Sequence, residues 1–331
     1  MSSIPAPSTA WQETIAPGEE QRYAGYARQF AEIQARKSQR WGPGRALHRK
    51  QLTAAHGILE VLDGLPPFCQ HGLFAKAREY DVWVRLSNGG LDRAHDSVPD
   101  IRGFSLRVLG VEGDSALGHG PAASQDFTLI NQEAFGFSSS GEFVDFVVAA
   151  SQGKSALFKY VFKRYGLLGA PRRLGKMIKS VGRPFSGFAT ESLFSALPMA
   201  NGPYAVRVRL VPAVANGKAA TDAHEDWAAD FSGRLARQPL HWDLQLQFFA
   251  SEQLTPIENP TVNWPTPYST VARLMLPRQA TQSAEGQALA RQVEATVFDP
   301  WQALAAHRPL GDVQRARKVV YFESQKGRGA A

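Results

Sequence analysis

The sequence predicts an α+β fold in which an antiparallel β-barrel or sandwich carries attached helices. Two groups of short strand-like segments are separated by a basic, helical segment, and helical patterns also occur near both ends. In the second group polar and apolar residues alternate, as in a strand that is buried on one face. The strands are expected over 57–62, 81–87, 102–111 and 126–130, then over 205–211, 240–249 and 267–276.

Helices are predicted where apolar residues recur at helical spacing. The first covers 19–40 and ends before Gly42, Pro43 and Gly44. Ser140 is expected to cap a second helix over 141–150. The remaining helices are expected in the basic segment, where Gly169, Ala170 and Pro171 interrupt it, and over 284–297 and 313–321. No linker or repeat divides the chain, so we expect an N-terminal arm with its helix, residues 1–44, and one domain, residues 45–331.

Composition limits the classes of protein that the chain can represent. Its 331 residues are 44% hydrophobic, enough for a large core, and they include no apolar run of about 18 residues that would span a membrane. The first eleven residues lack the pattern of a signal peptide, so we expect a cytoplasmic protein. Cys69 is the only cysteine, which excludes an intrachain disulfide and a cysteine cluster for zinc or iron–sulfur.

The positive charge is concentrated in one segment. The net charge is +7, and no acidic residue occurs between Asp145 and Glu191. Aromatic and aliphatic residues alternate with the cations there, which suits an interfacial helix on an anionic membrane; a solvated basic face is the alternative. No nucleic-acid recognition motif is present, so we expect no nucleic-acid partner. The nine cations of 154–183 are Lys154, Lys159, Lys163, Arg164, Arg172, Arg173, Lys176, Lys179 and Arg183.

A candidate metal ligand lies near the C-terminus. Arg317 precedes Tyr321 by one helical turn, on the same face of the predicted helix. A neighbouring guanidinium favours the phenolate form of a tyrosine, and tyrosine is a known axial ligand of haem iron. A half-buried tyrosine in an ordinary surface helix would show the same spacing.

Two further patterns contain residues suited to acid–base chemistry and anion binding. In the first, Arg45, His48 and Lys50 place an imidazole among cations, where it acts either as a general acid–base group or as a structural histidine. In the second, Arg85 and Ser87 lie on one side of a strand that ends in a turn. The arginine would bind a carboxylate and the serine would orient an imidazole, unless the serine only completes the strand end.

Together these patterns resemble the catalase family, and the smaller catalase-like haem peroxidases most. The family's motifs Arg-x-x-His-x-Lys, Val-Arg-Phe-Ser, Asp-x-Arg-Gly-Phe and Arg-x3-Tyr-x6-Arg have counterparts in the same order. The counterparts are Arg45 to Lys50, Val84 to Ser87, Asp100 to Phe104, and Arg317 to Tyr321 with Arg328 seven residues later. The resemblance covers about residues 45 to 328. It implies a catalase-like antiparallel β-barrel with surrounding helices.

The resemblance also implies a role for each matching residue around one haem b. Tyr321 would be the axial iron ligand, kept ionised by Arg317, and His48 the distal acid–base group, oriented by Ser87. Arg45, Arg85 and Arg328 would neutralise the haem propionates. Leu47 would lie over the porphyrin, and Phe127 and Phe135 would line the distal pocket.

Two departures from the family pattern concern the activity and the assembly. True catalases have a distal asparagine that should fall near 122–125, where this chain has none and where Gln125 is the candidate substitute. The chain also lacks the length for the family's C-terminal domain and wrapping segment. We therefore expect weak catalase activity and a looser assembly, a homodimer rather than the large tetramer.

Three functions follow as hypotheses. The first is a haem peroxidase acting on peroxides, in which His48 transfers the peroxide proton. The second is an isomerase or dehydratase of fatty-acid hydroperoxides, of the allene oxide synthase type, which the basic segment favours. The third is a haem carrier or sensor without catalysis, for which neither His48 nor Ser87 would be needed.

Overall fold

In the computed structural model, which describes residues 6–220 and 225–330, eight antiparallel strands close into a barrel. The sheet runs in the order β4-β3-β2-β1-β9-β8-β7, and the two-residue strand β5 pairs with both β4 and β7 to complete the ring. A short strand, β6, extends the sheet beyond β7. The strands are β1 Lys50–Val61, β2 Arg78–Asn88, β3 Arg102–Val108, β4 Gln125–Ile130, β5 Leu193–Phe194, β6 Met199–Asn201, β7 Tyr204–Pro212, β8 Leu240–Phe248 and β9 Tyr268–Leu276.

The alternation along the strands separates an apolar interior from a polar outer surface. On β2, Val82, Val84 and Leu86 belong to the main core cluster. Arg85 and Ser87 alternate with these residues and therefore point outward. The same period on β3 and β4 fills the barrel with Leu, Val and Phe side chains. The outer face is therefore where polar side chains of neighbouring strands come together.

The helices lie outside the barrel. They are α1 Glu19–Trp41, α2 Ser140–Ser151, α3 Lys154–Val181, α4 Trp227–Arg237, α5 Ala284–Ala295 and α6 Asp312–Lys326. Helices α1 and α6 pack together: Tyr23 Oη donates to Asp312 Oδ1 at 2.7 Å, and Gln34 Nε2 donates to the Ser324 carbonyl at 3.0 Å. No described helix is long and apolar enough to cross a membrane.

Most expected elements are confirmed, and two details were wrong. Ser139, not Ser140, caps α2, because Ser139 has extended backbone and its hydroxyl accepts the Glu142 amide proton, while Ser140 is already helical. The break in the basic segment falls at Gly166 rather than at 169–171. Its φ of 68° and ψ of 178° are open to glycine without strain, so the helix bends there.

Three elements were not predicted. Strands β5 and β6 have two and three residues, too few for a periodic pattern to appear. Helix α4 buries Trp227, Phe231 and Leu235, which recur every four residues and follow the capping side chain of Asp226. That spacing would have allowed α4 to be predicted from the sequence.

The N-terminal arm from residue 6 onward lies against the barrel end and α6. Ser8 N donates to the Phe249 carbonyl at 2.9 Å, and Trp11 Nε1 to the Pro203 carbonyl at 2.8 Å. Arg315 of α6 binds the carboxylates of Glu13, Glu19 and Glu258 within 2.9 Å. Residues 1–5 and 331 of the expected arm and domain lie outside the described residues.

Candidate functional site

His48 is held in an unusual backbone conformation on the outer face of the barrel, just before β1. Its φ is 49°, in the left-handed region that few non-glycine residues adopt. The backbone is fixed on both sides, since the His48 amide donates to the Gly89 carbonyl at 3.0 Å and its carbonyl accepts from Arg85 Nη2 at 2.8 Å. The ring is fixed as well, because Nδ1 lies 3.0 Å from Ser87 Oγ. Strain of this kind persists only where surrounding contacts impose it.

Gly103 forms the surface on which the imidazole rests. It pairs with Ser87 across β2 and β3, and both strands present this row to the outer face. A Cβ at position 103 would lie 2.6 Å from His48 Nδ1 and 2.7 Å from Ser87 Oγ. Only glycine therefore leaves room for the His48–Ser87 pair.

Arg317 links α6 to the barrel and to Tyr321. Its Nη2 donates to Tyr321 Oη at 2.7 Å and to Thr128 Oγ1 of β4 at 2.9 Å, and its Nη1 donates to Gln314 Oε1 at 3.1 Å. The guanidinium thus lies against both the hydroxyl and the ring of Tyr321. A phenol held in this way has a positive charge directly beside its oxygen.

Arg45, Arg85 and Arg328 meet at the C-terminal end of α5. The Glu294 carboxylate accepts from Arg45 Nη1 and from Arg85 Nε, both at 2.9 Å. Arg45 and Arg328 also donate to the last carbonyls of the helix, including that of Thr296 at 2.7 and 3.0 Å. Three guanidinium groups beside one carboxylate leave an excess of two positive charges. Arg45 and Arg328 also cap α5, whose terminal carbonyls need donors.

These charges act on His48. Burial of the imidazole, followed by the positive charges of Arg85, Arg317 and Arg45, lowers the pKa of His48 to about 3. The ring is accordingly neutral at neutral pH, with one nitrogen available as a proton acceptor.

Three solved structures share this architecture over nearly the whole chain. A fungal catalase matches with a TM-score of 0.68 and 17% identity over 99% of this chain and 66% of its own. A bacterial catalase matches with a TM-score of 0.64 and 16% identity, over 99% of this chain and 63% of its own. Catalase A from Saccharomyces cerevisiae matches with a TM-score of 0.68 and 16% identity, over 100% of this chain and 69% of its own. No family model and no curated protein sequence matches.

The fold is catalase-like. The chain spans about two thirds of the length of these catalases. The expected α+β class, a catalase-like barrel with surrounding helices, is confirmed.

Within the catalase-like fold, the predicted site residues fall into two sets. The first set consists of residues that lie in contact or close together. His48 contacts Ser87 and Arg85, and Arg317 contacts Tyr321. Arg45, Arg85 and Arg328 form the arginine cluster. Leu47 lies beside them, packed on the α1, α2 and α6 cluster. Phe135 packs on Phe143 of the same cluster, and Phe127 lies elsewhere.

Phe127 faces the barrel interior, whereas Phe135 lies next to the apolar cluster that includes Leu47. On β4 the outward neighbour of Phe127 is Thr128, which contacts Arg317, so the expected position of Phe127 on the pocket wall was one residue out of register. Phe135 packs edge-to-face on Phe143, 5.1 Å between ring centroids. The side chain of Gln125, the candidate substitute for the distal asparagine, is already engaged in another contact. Its Oε1 accepts the Leu304 amide proton at 3.0 Å.

Three site residues were missed. Gly103 was within the quoted Asp-x-Arg-Gly-Phe motif, and an obligatory glycine beside a polar strand was the available signal. Thr128 required the register of β4. Glu294 had no signal, because its partners Arg45 and Arg85 lie more than 200 residues away in sequence.

Proposed function

We propose that the protein is a haem-dependent oxidoreductase acting on peroxides, a peroxidase with weak catalase activity. The observation that carries the proposal is the convergence of a neutral, oriented imidazole and an arginine-bound phenol on one face of a catalase-like barrel. In this proposal the cofactor is haem b. Tyr321 would hold its iron, and His48 would be the acid–base group for the peroxide.

The donor chemistry of the site fits haem b. Arg317 Nη2 donates to the phenol oxygen at 2.7 Å, which places a guanidinium beside the atom that would bind ferric iron. The excess of two positive charges in the arginine cluster matches the two propionates of haem b. When bound, haem supplies an iron that coordinates peroxide and takes up its oxidising equivalents.

His48 moves the proton. With Nδ1 protonated and directed at Ser87 Oγ, Nε2 is the proton acceptor for peroxide and then returns the proton to the departing oxygen. The lowered pKa keeps the imidazole free to accept. Ser87 is a positioning residue, since it fixes the ring and does not itself exchange the proton.

The missing distal amide favours peroxidase over catalase activity. Catalatic turnover needs a second hydrogen peroxide molecule held by histidine and asparagine together, and Gln125 is bonded to the Leu304 amide. An organic donor is therefore the expected reductant. A haem carrier would not need the constrained His48–Ser87–Gly103 arrangement.

Fatty-acid hydroperoxides are the second candidate substrate, with isomerisation or dehydration as the reaction. The observation that favours them is the exposed apolar and basic surface of α3, where a lipid substrate would arrive. Product analysis separates the two functions: a peroxidase yields the alcohol and an oxidised donor, whereas an isomerase or dehydratase needs no donor.

The proposal is tested on purified protein reconstituted with haem b. We expect one haem per chain with a phenolate-to-iron charge-transfer band, and donor oxidation by organic hydroperoxides at least as fast as by hydrogen peroxide. Tyr321→Phe should lose the band and most of the haem. Arg317→Ala should keep haem but hold it less tightly, because the donor to Tyr321 Oη is lost. Tyr80→Phe should behave like the parent. Unchanged spectra in Tyr321→Phe, or oxygen evolution typical of large catalases, would contradict it.

A further inference from the structure

The inner side of α3 is anchored on α2, which leaves its outer side without a partner among the described residues. Val161 and Ala170 are the fully buried positions of this helix. The Glu142 carboxylate of α2 binds Tyr165 Oη and, at 2.7 Å, Arg173 Nη2. The orientation of the helix on the molecule is thereby fixed.

The outer side carries cations without carboxylate partners. Three of the nine cations form ion pairs: Arg164 with Asp145, Arg173 with Glu142 and Arg183 with Glu191. Within the part of the chain that the structure describes, the other six form none. They are all exposed, and they are Lys154, Lys159, Lys163, Arg172, Lys176 and Lys179.

Exposed aliphatic side chains lie beside these cations. Leu167 is 81% exposed and Leu168 96%, and both follow the bend at Gly166. Ile178, also exposed, is eleven residues after Leu167 and so lies three turns along on the same side. Water is a costly environment for a fully exposed leucine, and such patches mark interaction surfaces.

We propose that α3 binds the surface of an anionic lipid bilayer. Leu167 and Leu168 enter the boundary between headgroups and acyl chains, while the six unpaired cations contact the phosphate and carboxylate groups of the lipids. Charge complementarity selects this partner. A nucleic acid would leave the leucines in water, and a second copy would bring like charges together.

The test is cosedimentation of the intact protein with vesicles. Binding is expected to vesicles of phosphatidylcholine with phosphatidylglycerol, to be weak with phosphatidylcholine alone, and to fall when the ionic strength rises to about 1 M, where charges are screened beyond about 3 Å. The proposal is overturned if the protein remains in the supernatant with the anionic vesicles at low salt. It is independent of haem, so the protein is assayed with and without it.

Two sets of variants separate the contributions. Leu167→Ser with Leu168→Ser should weaken binding at least about tenfold, from the apolar area withdrawn from the bilayer. The matched control is Val214→Ser, at a residue 97% exposed outside α3. Lys159→Gln, Lys163→Gln, Lys176→Gln and Lys179→Gln together should reduce the salt dependence strongly, whereas Lys76→Gln with Lys218→Gln should not.

Insertion is measured directly with a fluorophore. Leu168→Cys offers an exposed thiol, while the native Cys69 is fully buried and reacts slowly. A polarity-sensitive label at 168 should shift to shorter wavelength with anionic vesicles and be quenched by brominated lipids. An unshifted label, a leucine pair whose loss converts dimer to monomer without affecting vesicle binding, or RNA binding in place of vesicle binding would each overturn the proposal.

Discussion

At the scale of single residues, the strongest constraint lies at His48. Its left-handed backbone is held by Gly89 and by Arg85, and its ring by Ser87, so the imidazole has a single orientation. A half-buried histidine kept neutral by surrounding arginines is an unfavourable choice for packing alone. Perturbed groups of this kind concentrate at functional sites.

Replacing His48 with alanine separates catalysis from haem storage. We expect the rate of the peroxide reaction, followed by stopped-flow absorbance of the haem band, to fall by about 10² to 10⁴, the range for lost general acid–base help. Ser87→Ala should cost less, because the ring remains present. Haem content should be unchanged in both variants. A His48→Ala rate within about threefold of the parent would favour a carrier.

Gly103→Ala tests whether the imidazole must rest on the strand. The added methyl would meet Nδ1 of His48 and Oγ of Ser87 below 3 Å, so the ring has to move away. We expect slower reaction with peroxide while Tyr321 still holds haem, as seen by an unchanged charge-transfer band. Gly136→Ala is the matched control, since nothing lies within 4 Å of a Cβ there. Parental rates in Gly103→Ala would contradict the assigned geometry.

At the scale of elements, the C-terminus of α5 and the arginine cluster stabilise each other. The end of the helix provides three backbone carbonyls and the Glu294 carboxylate as acceptors for the arginines. Because Arg85 is buried, its charge depends on that carboxylate as a partner. Arg45 and Arg85 in turn keep the pKa of Glu294 below its usual value despite burial.

Glu294→Gln should therefore lower stability and do so mainly without haem. Loss of the charged partner of Arg45 and Arg85 is expected to cost about 1 to 3 kcal/mol, measured by urea unfolding. Propionates would supply compensating negative charge, so the difference from the parent should shrink after haem is added. Glu79→Gln, at an exposed strand position, should have no effect. An equal loss with and without haem would show that propionates do not reach these arginines.

The sequence allowed most of the long elements to be predicted, but not helix α4, the short strands or the register. Strands such as β7 and β8 alternate because one face fills the barrel, and that pattern is visible locally. The closing strand β5 has two residues and depends on its neighbours. Phe127 was expected on the pocket wall, but Thr128 is the residue that contacts Arg317, because one residue of register reverses the face.

At the scale of the whole molecule, buried histidines link stability to pH. His307 is fully buried, and Nε2 accepts the Leu73 amide proton at 2.8 Å, which requires a neutral ring. Burial lowers the pKa of His307 to about 4. The unfolded chain binds a proton near pH 6.5 that the folded chain refuses, so the folded protein loses stability as pH falls from about 6.5 towards 4.

His307→Gln should remove part of this pH dependence. The expected contribution between pH 7 and pH 5 is on the order of 2 kcal/mol, because about 1.5 pH units of that interval lie below the unfolded pKa and each is worth about 1.4 kcal/mol. It is measured as the difference between the unfolding free energies at the two pH values. Asp126 acts in the opposite direction, because burial raises its pKa to about 7, so the informative quantity is the difference between variant and parent. His56→Gln, at an exposed position, serves as control. An identical slope in parent and His307→Gln would contradict the assignment.

The packing of α1 against α6 sets an order of events during protein synthesis. Helix α1 is made first, yet Tyr23 and Gln34 bind Asp312 and Ser324 of the last helix. The strands between them leave the ribosome before either helix can dock. Tyr321 lies on α6, so its side of the site cannot assemble until that helix has also been made. A nascent chain that has completed only the barrel strands would thus lack the proposed haem ligand.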